Sequence, residues 1–296
     1  MSFTTRFRRT IAQWLPPALV RLLQILRDGL KGAGCHYAGT AWPAAPAASW
    51  SNETIVAPRK ALFKEWRGQV QAMGPLGSTW PPVVRESLDL VEHNRYVCAA
   101  LGLSLAAQGK ASVSALDWGG ACGDYALLAR RFCPDTRFEW SCAELPVICV
   151  LGRELNPAVT FIADERWKQN TYDLGFSSSA IQYVLDWQDL VGALAAASRE
   201  WLFLTRLPLV FGAPSFVFEQ RAPEYGTRYP GWAFNRDELV AVAKQAGFGV
   251  AHEFLLGKWM HVHHAPEQPV TMGLLFRRVA PPPSSAHGKA SHSPAA

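Results

Sequence analysis

Residues 116–124 read Leu116-Asp117-Trp118-Gly119-Gly120-Ala121-Cys122-Gly123-Asp124, and they decide the fold. Val113 to Asp117 before the glycines is β-rich and apolar, while Tyr125 to Phe132 after them carries a helical pattern. Strand, glycine turn and helix follow in that order. Glycine permits the tight reversal and leaves bare backbone for a ligand to lie against. Glycines can also serve a turn's own geometry, so the order of the elements downstream carries the weight.

That order is regular. Short β-rich runs alternate with helical ones, the pattern of βαβ units around a parallel sheet. Strands are predicted at 137–142, 159–163, 172–176 and 201–207, with helices at 147–155 and 187–197 between them. Residues 237–246 form an amphipathic helix that Gly247 stops, and strands at 250–256 and 270–277 end the domain. The fold class is therefore α/β, with a Rossmann-like, mostly parallel sheet.

Upstream, Val84, Leu88, Val91, Leu101 and Leu105 give 83–108 a helical period leading into the first strand. Residues 32–82, rich in Gly, Ala and Pro near their start, with Trp42 and Trp50, read as an irregular but anchored linker. The domain then spans 83–279. Residues 280–296, made largely of Pro, Ser, Ala, Gly and His, read as a disordered tail.

The first 31 residues hold Arg6, Arg8, Arg9, Arg21, Arg27 and Lys31 beside Leu19, Leu22, Leu23, Leu26 and Leu30 at helical spacing. One reading packs this basic amphipathic helix on the domain; the other lays it on the inner membrane leaflet. Gln13, Arg21, Gln24 and Pro16-Pro17 break its apolar run short of the ~20 residues a span needs, and it makes no clean secretory signal. Six cysteines without a CxxC pair read as reduced thiols of a cytoplasmic protein. The net charge of +5 comes with no nucleic-acid-binding motif, so no nucleic-acid partner is expected.

The ligand is read from Asp117. In a G-x-G-x-x-G fingerprint Trp118 would occupy the first glycine, and a carboxylate beside the turn repels a pyrophosphate. It suits an ammonium instead. Glu144 lies 25 positions beyond Gly119, near the ~20 at which an acid accepts hydrogen bonds from ribose hydroxyls.

The stretch resembles the acidic-x-Gly-x-Gly-x-Gly loop of class I S-adenosylmethionine-dependent methyltransferases, with Asp117, Gly119 and Gly123 in register and Ala121 replacing the middle glycine. Tyr172-Asp173-Leu174-Gly175-Phe176-Ser177 resembles the family's fourth strand, and Ala246-Gly247-Phe248 the turn before its sixth. The resemblance covers about residues 110–280. It implies strand order 3-2-1-4-5-7-6, S-adenosylmethionine as cofactor, and contacts from Asp117, Gly119, Gly120, Ala121, Gly123, Glu144, Asp164 and Ser177. Asp164 would approach the adenine amino group, and Ser177 the methyl donor.

A narrower resemblance, through the basic apolar helix, Asp117-Trp118-Gly119-Gly120, Glu144-Leu145-Pro146 and Ser178-Ser179-Ala180-Ile181-Gln182-Tyr183-Val184, is to bacterial methyltransferase-like proteins of surface-polysaccharide gene clusters. It implies O-methylation of a small or lipid-linked acceptor, a glycan among them. A nicotinamide-dependent oxidoreductase and a non-catalytic cofactor-binding scaffold are the rival readings.

Methyl transfer requires donor and acceptor to be aligned, and a hydroxyl acceptor gains from a general base. Asp186, His252, His261, His263, His264 and the His36-Tyr37 region are candidates, and the sequence does not choose among them. Gln182 and Tyr183 either line the acceptor pocket or form a helix face. His261-Val262-His263-His264 lacks a nearby carboxylate or thiol at ligand spacing, so it reads as a surface loop and no metal is expected. Ser177, Ser178 and Ser179 lack the glycines of a nucleophile elbow. Trp201 and Trp259 read as packing residues.

Overall fold

The computed structural model describes residues 34–44, 55–72, 90–222, 227–257 and 260–279. The expected N-terminal helix, residues 83–89, Trp50, Trp259 and the tail at 280–296 lie outside the described residues.

The elements begin with β1 (Gly34–Gly39), α1 (Val56–Ala72), α2 (Leu90–Ala107), β2 (Ser112–Trp118), α3 (Asp124–Phe132), β3 (Arg137–Ala143), α4 (Pro146–Leu155) and β4 (Thr160–Ile162). There follow β5 (Tyr172–Ser178), α5 (Trp187–Ala197), β6 (Ser198–Val210), β7 (Phe216–Ala222) and β8 (Thr227–Asn235). Last come α6 (Arg236–Gln245), β9 (Phe248–Gly257), β10 (Val262–His263) and β11 (Val270–Arg278).

Strands β4, β3, β2, β5 and β6 pair in that order, all parallel. Antiparallel β11 then pairs with β6, and β9 with β11. Those seven strands reproduce the implied order. Parallel sheets are covered on both faces, which explains apolar runs with little alternation. Trp140, Phe176 and Phe203 form the core under α2 and α3. Trp187, Leu204, Phe234 and Phe276 form the one under α5 and α6. Asn235 caps α6 by accepting from Asp237 and Glu238 N–H at 2.9 and 3.1 Å, and Gly247 ends it at φ +87°.

Among the described residues, however, the sheet has eleven strands, not seven. The 13-residue β6 outruns β5: its Leu209 and Val210 pair in parallel with Phe234 and Asn235 of β8. From β8 the sheet continues through antiparallel β7 and β1 to β10, parallel to β1. This four-strand extension begins beyond the carboxyl end of β5.

Two further expectations are corrected. Within 32–82, where an irregular linker was expected, the described residues hold β1 and the 17-residue α1. Phe63, Trp66 and Val70 give α1 a buried stripe at helical spacing, and Trp66 stacks on Tyr96 at 4.3 Å. The run at His261 is not simply a surface loop either, since Val262 and His263 pair with Cys35 and His36. Among the described residues, no helix is long and apolar enough to cross a membrane.

Candidate functional site

The order β3-β2-β5 places a switch point at β2, where the connections leave in opposite directions and ligands of open α/β sheets sit at the strands' carboxyl ends. The glycine loop lies there. Gly119 N–H donates to Ala143 O at 2.9 Å, and Gly123 N–H donates to Gly120 O at 2.9 Å. Gly119 and Gly123 have φ of +70° and +75°, and Ala121 shares the left-handed region at +52°. Alanine thus keeps the backbone shape of the glycine it replaces, at a cost of roughly 1–2 kcal/mol.

Not all of this bare backbone faces a ligand. A Cβ on Gly120 would stand 2.3 Å from Asp117 Cγ, and one on Gly119 would stand 2.3 Å from Ala180 Cβ. The glycines admit the protein's own atoms first: a buried carboxyl beneath the loop and the segment after β5 beside it.

Asp117 lies beneath the loop, against Gly120. It is fully buried and accepts from Trp140 Nε1 at 3.2 Å, while its Oδ1 has no partner. Burial raises its pKa well above the ordinary carboxylate range against the Trp140 bond, and Asp124 and Glu144 push it further. The raised pKa favours the protonated form of this carboxyl, which packs directly under Gly120.

Glu144 is different. It follows β3 half-buried, its N–H donating to Ile162 O at 3.0 Å. Its carboxylate accepts from Leu145 N–H at 2.5 Å. Burial raises its pKa, opposed by the Leu145 and Ala121 N–H groups and by Arg59. Glu144 is the acid held beside the loop without being sealed beneath it.

Ser177 is buried and donates to Trp118 O at 2.9 Å, tying β5 to the end of β2. Asp164 is exposed. Its carboxylate accepts from Arg166 Nε at 2.8 and 2.9 Å and from Arg166 N–H at 3.0 Å, opening the 3-10 turn at Glu165–Gln169. Bonds from Arg166 hold its pKa low. Both of these residues serve local structure here.

Sequence reading missed Asp124. It is half-buried at the start of α3, and burial raises its pKa against Arg59, Arg95 and Arg206, from α1, α2 and β6. An acid in a helix's first turn was the available signal. Beside it, Arg95 Nε donates to Tyr125 Oη at 3.1 Å, and Tyr125 Oη lies 2.7 Å from Ser178 Oγ.

After β5, Gln182 is buried with Nε2 donating to Ser179 Oγ at 2.9 Å and with no partner for Oε1. Tyr183 Oη donates to Gln220 Oε1 of β7 at 3.0 Å, and its ring meets Tyr229 of β8 edge-on. The four-strand extension thereby forms a wall against this segment. Of the candidate bases, Asp186 is exposed before α5 and His252 is exposed on β9. His36 and His261 lie 4.9 and 5.0 Å from the His263 ring, at the β1–β10 seam. Among the described residues, no group of three metal-ligating side chains gathers. Trp201 packs in the core, and all six cysteines are free. Burial pushes the thiols of Cys35, Cys98 and Cys122 up to about 12, which keeps them inert near neutral pH.

No family model matches the chain, and no curated protein does. Solved structures with similar architecture include an amino pentose methyltransferase from Micromonospora echinaspora with S-adenosylmethionine bound. It has 18% identity and a TM-score of 0.42, over 63% of this chain and 91% of that one. A methyltransferase from Streptomyces caelestis has 13% identity and a TM-score of 0.44, over 63% and 90%. The magnesium protoporphyrin IX methyltransferase from Synechocystis has 12% identity and a TM-score of 0.45, over 77% and 100%. Likeness this distant leaves function to the chain's own residues.

Proposed function

We propose that the chain is an S-adenosylmethionine-dependent methyltransferase acting on oxygen of a small or lipid-linked acceptor, such as a glycan intermediate, in the cytoplasm. One observation carries this reading. The 3-2-1-4-5-7-6 strand path places the glycine loop after β2 at the switch point, with the half-buried Glu144 beside it at the end of β3.

Glu144 is the acceptor for the ribose hydroxyls, and the main chain from Gly119 to Gly123 supports the amino-acid portion. Asp117 and Ser177 shape that backbone from below and beside. When bound, the cofactor supplies an electrophilic methyl on its sulfonium. The chain's part is to orient the acceptor and exclude water. Gln182, with a buried unpartnered carbonyl oxygen, and Tyr183 stand between the loop and the extension, where an acceptor is to be held.

Calorimetric titration with S-adenosylmethionine, S-adenosylhomocysteine and NAD tests the reading. Both adenosyl compounds are expected to bind, and Glu144→Ala to weaken them by about 1.5–3 kcal/mol, the cost of lost hydrogen bonds to a charged group. NAD binding alone, or unchanged affinity in the variant, overturns it. Transfer of radiolabelled methyl to a cell extract separates an enzyme from a scaffold, which binds cofactor and labels nothing.

A further inference from the structure

Helices α1, α3 and α4 form one layer beside the glycine loop, α1 packing on both others. They contain seven Lys and Arg and three Asp and Glu, an excess of four positive charges where the whole chain has five. Asp124 is half-buried at the loop, Glu154 is tied to Lys60 at 2.6 Å, and Glu65 is exposed on α1. Lys64, Arg130, Arg131 and Arg153 are exposed.

Between α1 and α3 runs a cleft of about 230 Å³, lined by Arg67, Arg130 and Arg131 over Val70 and Leu127, with Gln71 and no acid. Burial and the neighbouring Arg67 pull the Arg130 guanidinium below its usual pKa, so an anion there relieves two crowded like charges. On the same layer Leu62 and Val150 are 51% and 66% exposed. Cations interspersed with exposed aliphatic side chains are the composition of a surface that rests on an anionic interface.

We propose that the α1/α3/α4 face docks on an anionic lipid bilayer, with a lipid phosphate seated in the Arg67–Arg130–Arg131 cleft. Aliphatic Leu62 and Val150 suit acyl chains, whereas single-stranded nucleic acid calls for aromatic platforms. The proposal rests on this surface alone and holds whichever cofactor the loop takes. The cleft also backs directly onto the candidate site. Arg130 Nη2 donates to Asn156 Oδ1 at 3.3 Å, and Asn156 Nδ2 donates to Cys122 O and Gly123 O at 3.1 and 3.2 Å. A headgroup bound there is one side chain, Asn156, from the main chain of the loop.

Co-sedimentation of the full chain with vesicles tests this. One set holds phosphatidylglycerol and phosphatidylcholine in equal amounts, the other phosphatidylcholine alone. Binding to the anionic set is expected to fall at least about tenfold in Lys64→Gln/Arg130→Gln/Arg131→Gln, since each basic residue near such a surface contributes about fivefold before screening. Leu62→Ser/Val150→Ser, which keeps the charge, is expected to weaken it several-fold, with thermal melts confirming that both variants fold. Equal binding to both vesicle sets overturns the proposal. So does a charge variant that binds as the unaltered protein does, which places lipid binding elsewhere, as in the basic segment 1–31. Inorganic phosphate raising the melting temperature, with no vesicle binding, marks a free-anion site and also overturns it.

Discussion

A methyl group added at Gly120 would stand 2.3 Å from both Asp117 Cγ and Oδ2, in a place where neither side has room to move. Gly120→Ala is therefore expected to cost about 1–3 kcal/mol, the usual range for overfilling a packed site. Shortening Asp117 to alanine removes the clash, so the double variant should lose less than the two single losses together. Urea titrations of the four proteins measure that coupling, and strict additivity would show that the two residues do not press on each other. Charge adds a pH signature. In the unfolded chain Asp117 ionises near its ordinary 3.8, while burial pushes it well above that in the folded chain. Its folded pKa is raised, so its contribution is fully present below about pH 4 and is lost as pH climbs toward the folded value. Asp117→Asn cannot ionise. Its stability relative to the unaltered protein should rise between about pH 4 and 7, and a difference that stays flat with pH would show Asp117 ionised in the fold. At this scale the sequence revealed residue types and spacing but not direction: Asp117 and Glu144 both follow as strand-end acids, and only packing separates the one under the loop from the one beside it. Asp164 shows the same limit, since Arg166, two residues on, takes its carboxylate locally.

Elements seat closely where glycine faces an aromatic ring. A Cβ at Gly102 on α2 would come 2.3 Å from Phe203 Cε1 on β6, and one at Gly152 on α4 would come 2.4 Å from Phe161 on β4. Gly102→Ala is expected to destabilise by about 1–3 kcal/mol despite the better helix propensity of alanine, because the helix must lift from the sheet. A higher urea midpoint in this variant would mean that α2 has slack. The five strands of the parallel core were legible because two-sided burial writes continuous apolar runs between glycine and proline punctuation. Helix α1 was obscured by Pro58, Gly68 and the preceding Ala- and Pro-rich stretch, although Phe63, Trp66 and Val70 carry its period. In β8, Pro230-Gly231 reads as a break. Yet Pro230 pairs opposite Glu219, and Gly231 gives the Phe218 ring its place, 2.6 Å from where a Cβ would be. Such a strand is fixed by its neighbours, which no single stretch of sequence displays.

Across the whole molecule, the four-strand extension meets the parallel core through only two residue pairs of β6 and β8, so other contacts must hold the two parts in register. Glu267 is one of them. Its carboxylate accepts from the N–H groups of Phe211, Gly212 and Ala213 at 3.0, 2.8 and 2.8 Å, joining the loop before β11 to the turn that leads from β6 into β7. Burial pushes this carboxyl up, but the three N–H donors outweigh it and hold the pKa below its ordinary 4.5. A depressed folded value contributes stability above the unfolded pKa and loses it as pH falls through the folded one. Glu267→Ala is thus expected to cost about 1.5–3 kcal/mol near neutral pH, the range for hydrogen bonds to a charged group. Toward about pH 3 the gap to the unaltered protein should narrow, because both then lack the charge. Hydrogen exchange gives the spatial side of the prediction: the variant should speed exchange in β7 and β8 while β2 and β5 stay protected, since local opening follows the weakest junction. Equal acceleration in all four strands would mean that extension and core unfold as one unit, and that the wall beside Tyr183 is as fixed as the sheet itself.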